Sequence, residues 1–265
     1  MFRRIFAEPL RQRFFSCRPI PAEKKCVQDR ESVLKNLKNG FYDFVIYGSI
    51  FRCDELLNDV VKYYPRERII FIDGEDEDFH FRLTCGVRYR FFQERRAKCY
   101  AQKGLYYKRE LLPQFRSLFR PISFGIPEEL IVKEVPENKE RKLAFIIPGK
   151  PETYIYNDEE SYFRGYQRAF FGMTCKKAGW DCLRHYEILA NGCVPYFPAI
   201  ADLPPDTMFP FPKGMIRYTN LLYEKGAPEF KLRRCCAELL EYTRKYLTTK
   251  FMAEYLLLSA GNPRQ

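Results

Sequence analysis

Histidine is almost missing from this chain: His80 and His185 are the only two in 265 residues, and they lie far apart. No CxxC pair accompanies them. The ten cysteines are irregularly spaced, and Cys235-Cys236 is the only adjacent pair. A zinc centre needs a partner set that this sequence does not offer, so no metal site is expected. Long apolar runs are missing as well. The basic, aromatic start MFRRIFAEPLRQRFF has apolar stretches too short to span a bilayer. It leaves peripheral membrane contact open beside the plainer reading of an N-terminal arm packed on the body. The chain opens with no apolar signal segment and is large for a disulfide scaffold. Free thiols in a reducing, cytoplasmic compartment are the expectation. Walker-type and zinc-finger motifs are absent too, so nucleic-acid binding rests on charge alone.

Charge and aromatic rings are what the chain does have. Lys and Arg number 45 against 34 Asp and Glu, a net charge of +11. A basic surface favours anionic partners, among them nucleotide-linked substrates. Aromatics make up 17%, with 19 Tyr and 24 Phe, and hydrophobic residues make up 46%. A substantial core can form, and the length allows one large α/β domain or two small ones.

Short apolar strands alternate with helix-period segments. Glu31 to Leu37 reads as a short helix ended by Gly40. DFVIYGS, Asp43 to Ser49, is a strand. Cys53 to Tyr64 is a helix stopped by Pro65, and Arg68 to Asp76 is a second strand running into an acidic turn. Strand, helix and strand with continuous apolar strands make a βαβ unit with a parallel sheet. Residues 86–92 and 97–107 carry a strand and a helix or loop. The charged run Glu137 to Lys142 is the linker candidate. LAFIIPG, Leu143 to Gly149, opens a second series. Next, Tyr162, Tyr166, Ala169 and Phe170 fall on one helical face. Asp181 is a plausible N-cap for a helix over Leu183 to Ala190, with Gly192 in its left-handed C-terminal position. CVPYF is a strand, PPDTMFPFP a rigid loop, and residues 229–258 are helical in period. Two α/β units, 1–140 and 141–265, are expected to leave a cleft between them, with the last helices packing back on the first.

Lys176 to Phe197, KKAGWDCLRHYEILANGCVPYF, holds the densest chemistry. Lys176 and Lys177 precede the small-residue turn Ala178-Gly179, which can approach a diphosphate closely. The following helix start adds unpaired amides. Arg184 can clamp phosphate bidentately. Glu187, three residues on, shares its helix face and suits sugar or ribose hydroxyls. The plainer reading is a solvated basic loop with a surface Arg–Glu pair.

The stretch Thr174 to Phe197 resembles the nucleotide-sugar-binding signature of exostosin-like glycosyltransferases, a family of the two-Rossmann-domain (GT-B) class. The matching residues are Gly179, Arg184, Glu187, Ala190, Gly192-Cys193, Val194 and Pro195. LRHYE stands where that family more often has a serine-containing approach to the Arg. The wider chain is similar to small exostosin-like proteins of microbes and large DNA viruses, most fully over 143–225 and also over 41–130. The resemblance implies a GT-B-like α/β fold of two Rossmann-like domains. It also implies inverting, metal-independent transfer of a sugar from a nucleoside-diphosphate donor to a glycan hydroxyl, with UDP-sugars favoured and UDP-xylose among them. Arg184 with Lys176 or Lys177 would offset charge on the leaving diphosphate. Glu187 would orient hydroxyls. Gly149 and Lys150 would line the phosphates, and Tyr154 or Tyr156 would stack on the base.

An inverting transferase also needs a base near the acceptor. Asp73, Glu75, Asp76, Glu77 and Asp78 crowd the end of the second strand, and Asp54 and Arg52 are rivals. The plainer reading is an acidic, solvated turn. A different reading takes Asp76-Glu77-Asp78 as the metal-binding DxD of a single-domain (GT-A) transferase. A non-catalytic carbohydrate- or nucleic-acid-binding protein is the remaining alternative.

Overall fold

The computed structural model describes residues 29–48, 51, 54–76 and 87–261. Arg52, Glu77, Asp78, His80 and the basic N-terminal segment lie outside the described residues.

The first sheet contains β1 (Val45–Tyr47), β2 (Ile69–Asp73), β3 (Leu105–Lys108) and β4 (Arg120–Pro121), all parallel and side by side in chain order. Val45 pairs with Ile69, Ile70 with Leu105, and Tyr107 with Arg120. Helices α1 (Arg30–Lys38), α2 (Leu57–Tyr63) and α3 (Val87–Lys103) precede or connect these strands. Because each step moves the same way across the sheet, right-handed crossovers place the connecting helices on one face. Leu57 and Val60 of α2 and Ala97, Tyr100 and Ala101 of α3 accordingly join Ile69, Phe71 and Tyr106 in one buried cluster. Ile70, Leu105 and Tyr107 turn to the other face. Both faces of β2 are therefore buried, which is why its sequence IIFID is apolar without alternation.

The second sheet is β5 (Arg141–Leu143), β6 (Ala169–Met173) and β7 (Val194–Tyr196), again parallel and in chain order. α4 (Glu159–Gln167) and α5 (Leu183–Ala190) connect its strands, and α6 (Lys213–Glu224) and α7 (Glu229–Tyr246) follow. The last helix, α8 (Thr249–Gly261), crosses back. Its Met252 and Ala260, with Phe251 and Tyr255, cover Ile70, Leu105 and Tyr107 of the first sheet. The Tyr255 hydroxyl donates to Pro121 O at 3.0 Å, and the Tyr107 and Ser259 hydroxyls share a hydrogen bond. Both passages of the chain between the halves lie together. Ile126 N donates to Leu247 O at 2.9 Å and Thr249 N to Ile126 O at 3.0 Å.

Three expectations change. The apolar run after Leu143 leaves the sheet at Ala144, whose N donates to Phe171 O at 2.8 Å, and ends in a turn at Pro148 and a left-handed Gly149 (φ 87°). Ala169 and Phe170 do not continue a helical face. α4 stops at Gln167, and they open β6, the central strand of its sheet. The charged linker run lies on the second half: half-buried Lys139 donates to Ala169 O at 2.8 Å and Gly192 O at 2.7 Å. The result is a mixed α/β fold with two parallel sheets, loosely Rossmann-like. Strand order reverses in neither sheet, so neither has an internal switch-point crevice.

Candidate functional site

α5 starts without its expected cap. Cys182 occupies the N-cap position and makes no side-chain cap bond. Asp181 instead turns inward, where its carboxylate accepts from Phe124 N at 2.9 Å and from the Tyr186 hydroxyl at 2.8 Å. Burial pushes its pKa up to about 6. His185 is fully buried, with Nε2 2.9 Å from Trp180 O and Nδ1 2.8 Å from Thr174 Oγ1. A carbonyl needs a donor, so Nε2 carries the proton and Nδ1 accepts from Thr174. The ring stacks on Phe197, and burial lowers its pKa to about 4. His185 is a neutral strut behind the helix. Gly192 closes the helix at φ 62°, as the sequence predicts.

Arg184 and Glu187 leave the same helix toward the segment 146–162. The Arg184 guanidinium donates through Nη2 to the Tyr154 hydroxyl at 3.2 Å. Its Nε is buried with no hydrogen-bond partner among the described residues. Glu187 Oε2 accepts from the Tyr162 hydroxyl at 2.7 Å, and Tyr166 donates to Tyr162 at 3.3 Å. Tyr154 and Tyr162 line a depression of about 310 Å³ together with Ile146, Tyr156, Asn157, Asp158 and Glu159. Gly149 and Lys150 form the exposed turn that leads into it, held by Thr153 Oγ1 donating to Lys150 O at 2.8 Å. The i, i+3 spacing of Arg184 and Glu187 was readable in the sequence, but Tyr162 as the partner of Glu187 was not.

The loop before α5 faces different chemistry. Lys176 lies over the Trp180 ring, 4.8 Å from its centroid, and Lys177 is exposed. Gly179 is buried against carboxylates. A Cβ there would stand 2.6 Å from Glu110 Oε1 and 2.8 Å from Asp76 Oδ1. Glu110 also accepts from the amides of Trp180 and Asp181, each at 3.0 Å. The Trp180 and Asp181 amides of the loop before α5 are thus occupied by a buried carboxylate from the first half. Arg109 completes the seam. It donates to Asp181 O at 2.6 Å and Gly74 O at 3.1 Å, and pairs with Asp76. The carboxyl ends of β2 and β3 therefore meet the loop after β6 directly. Lys108, Arg109 and Glu110, all buried, hold this seam and were missed by sequence reasoning.

The expected carboxylates fall in three places. Asp73 is closed in the interior. Its Oδ2 accepts from Lys108 Nζ at 2.9 Å and the Tyr106 hydroxyl at 2.8 Å, and its Oδ1 from Glu75 N at 3.1 Å. Its side chain is fully buried, away from any acceptor hydroxyl. Asp76 is half exposed beside the seam. Asp54 is exposed, 3.6 Å from Arg96 on α3, in a separate depression of about 460 Å³. Of the predicted residues, Tyr154 lines the depression, Arg184 bonds Tyr154, and Glu187 bonds the Tyr162 of the same depression.

No protein-family model matches the chain. No curated protein matches its sequence.

Proposed function

We propose that this chain is a nucleotide-sugar-dependent glycosyltransferase of the GT-B-like type, with the donor held by the half from 141 to 265. One observation carries the reading: Arg184 and Glu187 bond Tyr154 and Tyr162, two of the tyrosines that line the depression, and the Arg184 Nε is buried without a partner among the described residues. A buried guanidinium N–H with no acceptor is costly, and an anionic phosphate oxygen would satisfy it. Arg184, with Lys150 at the mouth, stabilises charge on the departing diphosphate. Glu187, oriented by Tyr162, accepts from ribose or sugar hydroxyls. Tyr154 or Tyr156 stacks on the base, uracil being favoured. Lys176, Lys177 and Gly179 have a smaller part, since Glu110 holds their loop. The acceptor glycan meets the half from 1 to 140. There Asp76, half exposed at the carboxyl end of β2, is a better base than Asp73. Transfer is inverting and needs no metal.

The test is release of nucleoside diphosphate from a panel of UDP- and GDP-sugars. Arg184→Ala is expected to slow release about 100-fold or more, the scale of losing one transition-state donor, and Glu187→Ala is expected to slow it through loss of the group that orients the hydroxyls. Turnover equal to the unmodified protein would sink both roles. EDTA is expected to leave the rate unchanged, and a rate abolished by EDTA and restored by manganese would return the DxD reading of Asp76-Glu77-Asp78.

A further inference from the structure

Gly165 sits inside α4, where glycine costs about 1 kcal/mol relative to alanine. Tyr156 explains it. A Cβ on Gly165 would meet the Tyr156 hydroxyl oxygen in hard overlap and stand 2.6 Å from its Cζ. The bare helix backbone is the seat on which this ring lies. From that seat Tyr156 walls the depression, with Tyr162 edge-on at a centroid distance of 6.4 Å and Ile146 beside them.

We propose that the Gly165–Tyr156 pair sets the width of the depression and so selects the flat base of a nucleotide as its occupant. This rests on the reading of the depression as the donor site. With any larger residue at 165, the Tyr156 ring leaves its seat. The helix blocks one direction and Tyr162 another, so the ring turns into the space that a base would fill. Gly165 is thus a positioning residue that acts through Tyr156. Neither residue needs to touch the reacting atoms.

The experiment is a double-mutant cycle on binding of UDP, with GDP in parallel, by calorimetry on the full chain. Gly165→Ala is expected to weaken binding at least tenfold when Tyr156 is present and less than threefold in a Tyr156→Ala background, because coupling needs both groups. Equal losses in the two backgrounds would show that the helix, not the ring, is responsible, and would overturn the proposal. So would a Gly165→Ala protein that binds as tightly as the unmodified one; both results leave the nucleotide reading standing. If the unmodified protein binds neither diphosphate, the nucleotide reading falls and this role falls with it. Tyr156→Trp, too large for the same seat, offers a second route should Gly165→Ala fail to fold. It is expected to lose tenfold or more, and unchanged binding would count against the wall.

Discussion

Asp181 and His185 are buried four residues apart, and burial acts on them in opposite directions. Asp181 titrates near 6 in the fold against 3.8 when unfolded, so the fold binds its proton more tightly. Its contribution to stability is full at low pH and declines as pH rises from about 4 to about 6. His185 titrates near 4 against 6.5. Its neutral form is favoured in the fold, and its contribution is lost as pH falls from about 6.5 to about 4. Each shift of roughly two units corresponds to about 3 kcal/mol, so between pH 4 and 6 the two slopes nearly cancel. Asp181→Asn removes one slope. Its deficit relative to the unmodified protein should shrink by about 3 kcal/mol between pH 4 and pH 6.5 in urea unfolding. A deficit independent of pH would show that Asp181 does not hold its proton in the fold. At this scale Arg184 and Glu187 were legible because helical spacing is a local property. Lys108-Arg109-Glu110 was not. Charged residues at the end of a strand read as solvated surface, and their partners come from far off in the sequence: Asp73 on Lys108 and Gly74 on Arg109, some 35 positions earlier, and Trp180 and Asp181 on Glu110, some 70 later.

Elements were legible where the local signal was unambiguous. α5 matches its expected span because amphipathic spacing and a terminal glycine agree. β6 was misread because AFFGM is a short apolar run that fits a buried strand or a helix end equally well. The tertiary neighbours decide: Phe171 pairs with Leu143 on one side and Val194 on the other. The loop between β6 and α5 lies directly against the residues that follow β3. Gly179→Ala should destabilise the protein by about 1–3 kcal/mol, since Glu110 is pinned by two amides and cannot withdraw from the new Cβ. Thermal unfolding of Gly179→Ala beside a Glu110→Ala, Gly179→Ala double variant tests this. The second alanine should cost less once the carboxylate is gone, and equal costs would mean that Glu110 is not what limits the space.

Across the whole molecule, α8 joins the end of the described chain to the first sheet. Among the described residues no helix is long and apolar enough to cross a membrane, α8 included. Its apolar side is spent on Ile70, Leu105 and Tyr107. Burial of a large apolar side chain stabilises by about 1.5–3 kcal/mol, so baring this face should remove several kcal/mol. Truncation after Thr248 is therefore expected to lower the urea midpoint sharply and to raise binding of a hydrophobic dye. A truncated protein with the same midpoint would show that the first sheet stands without its cover. The parallel sheets and their helices were foreseeable from alternating apolar segments. The meeting of their carboxyl ends was not, because no local pattern encodes which surfaces close on each other.

The return of α8 also sets an order of events during synthesis. Tyr107 and Ser259 are hydrogen-bonded across 152 positions of sequence. One face of the first sheet must remain open to water while the entire second half is made. For that interval the nascent chain carries an apolar surface with no partner of its own, the kind of surface that chaperones hold and that aggregates capture.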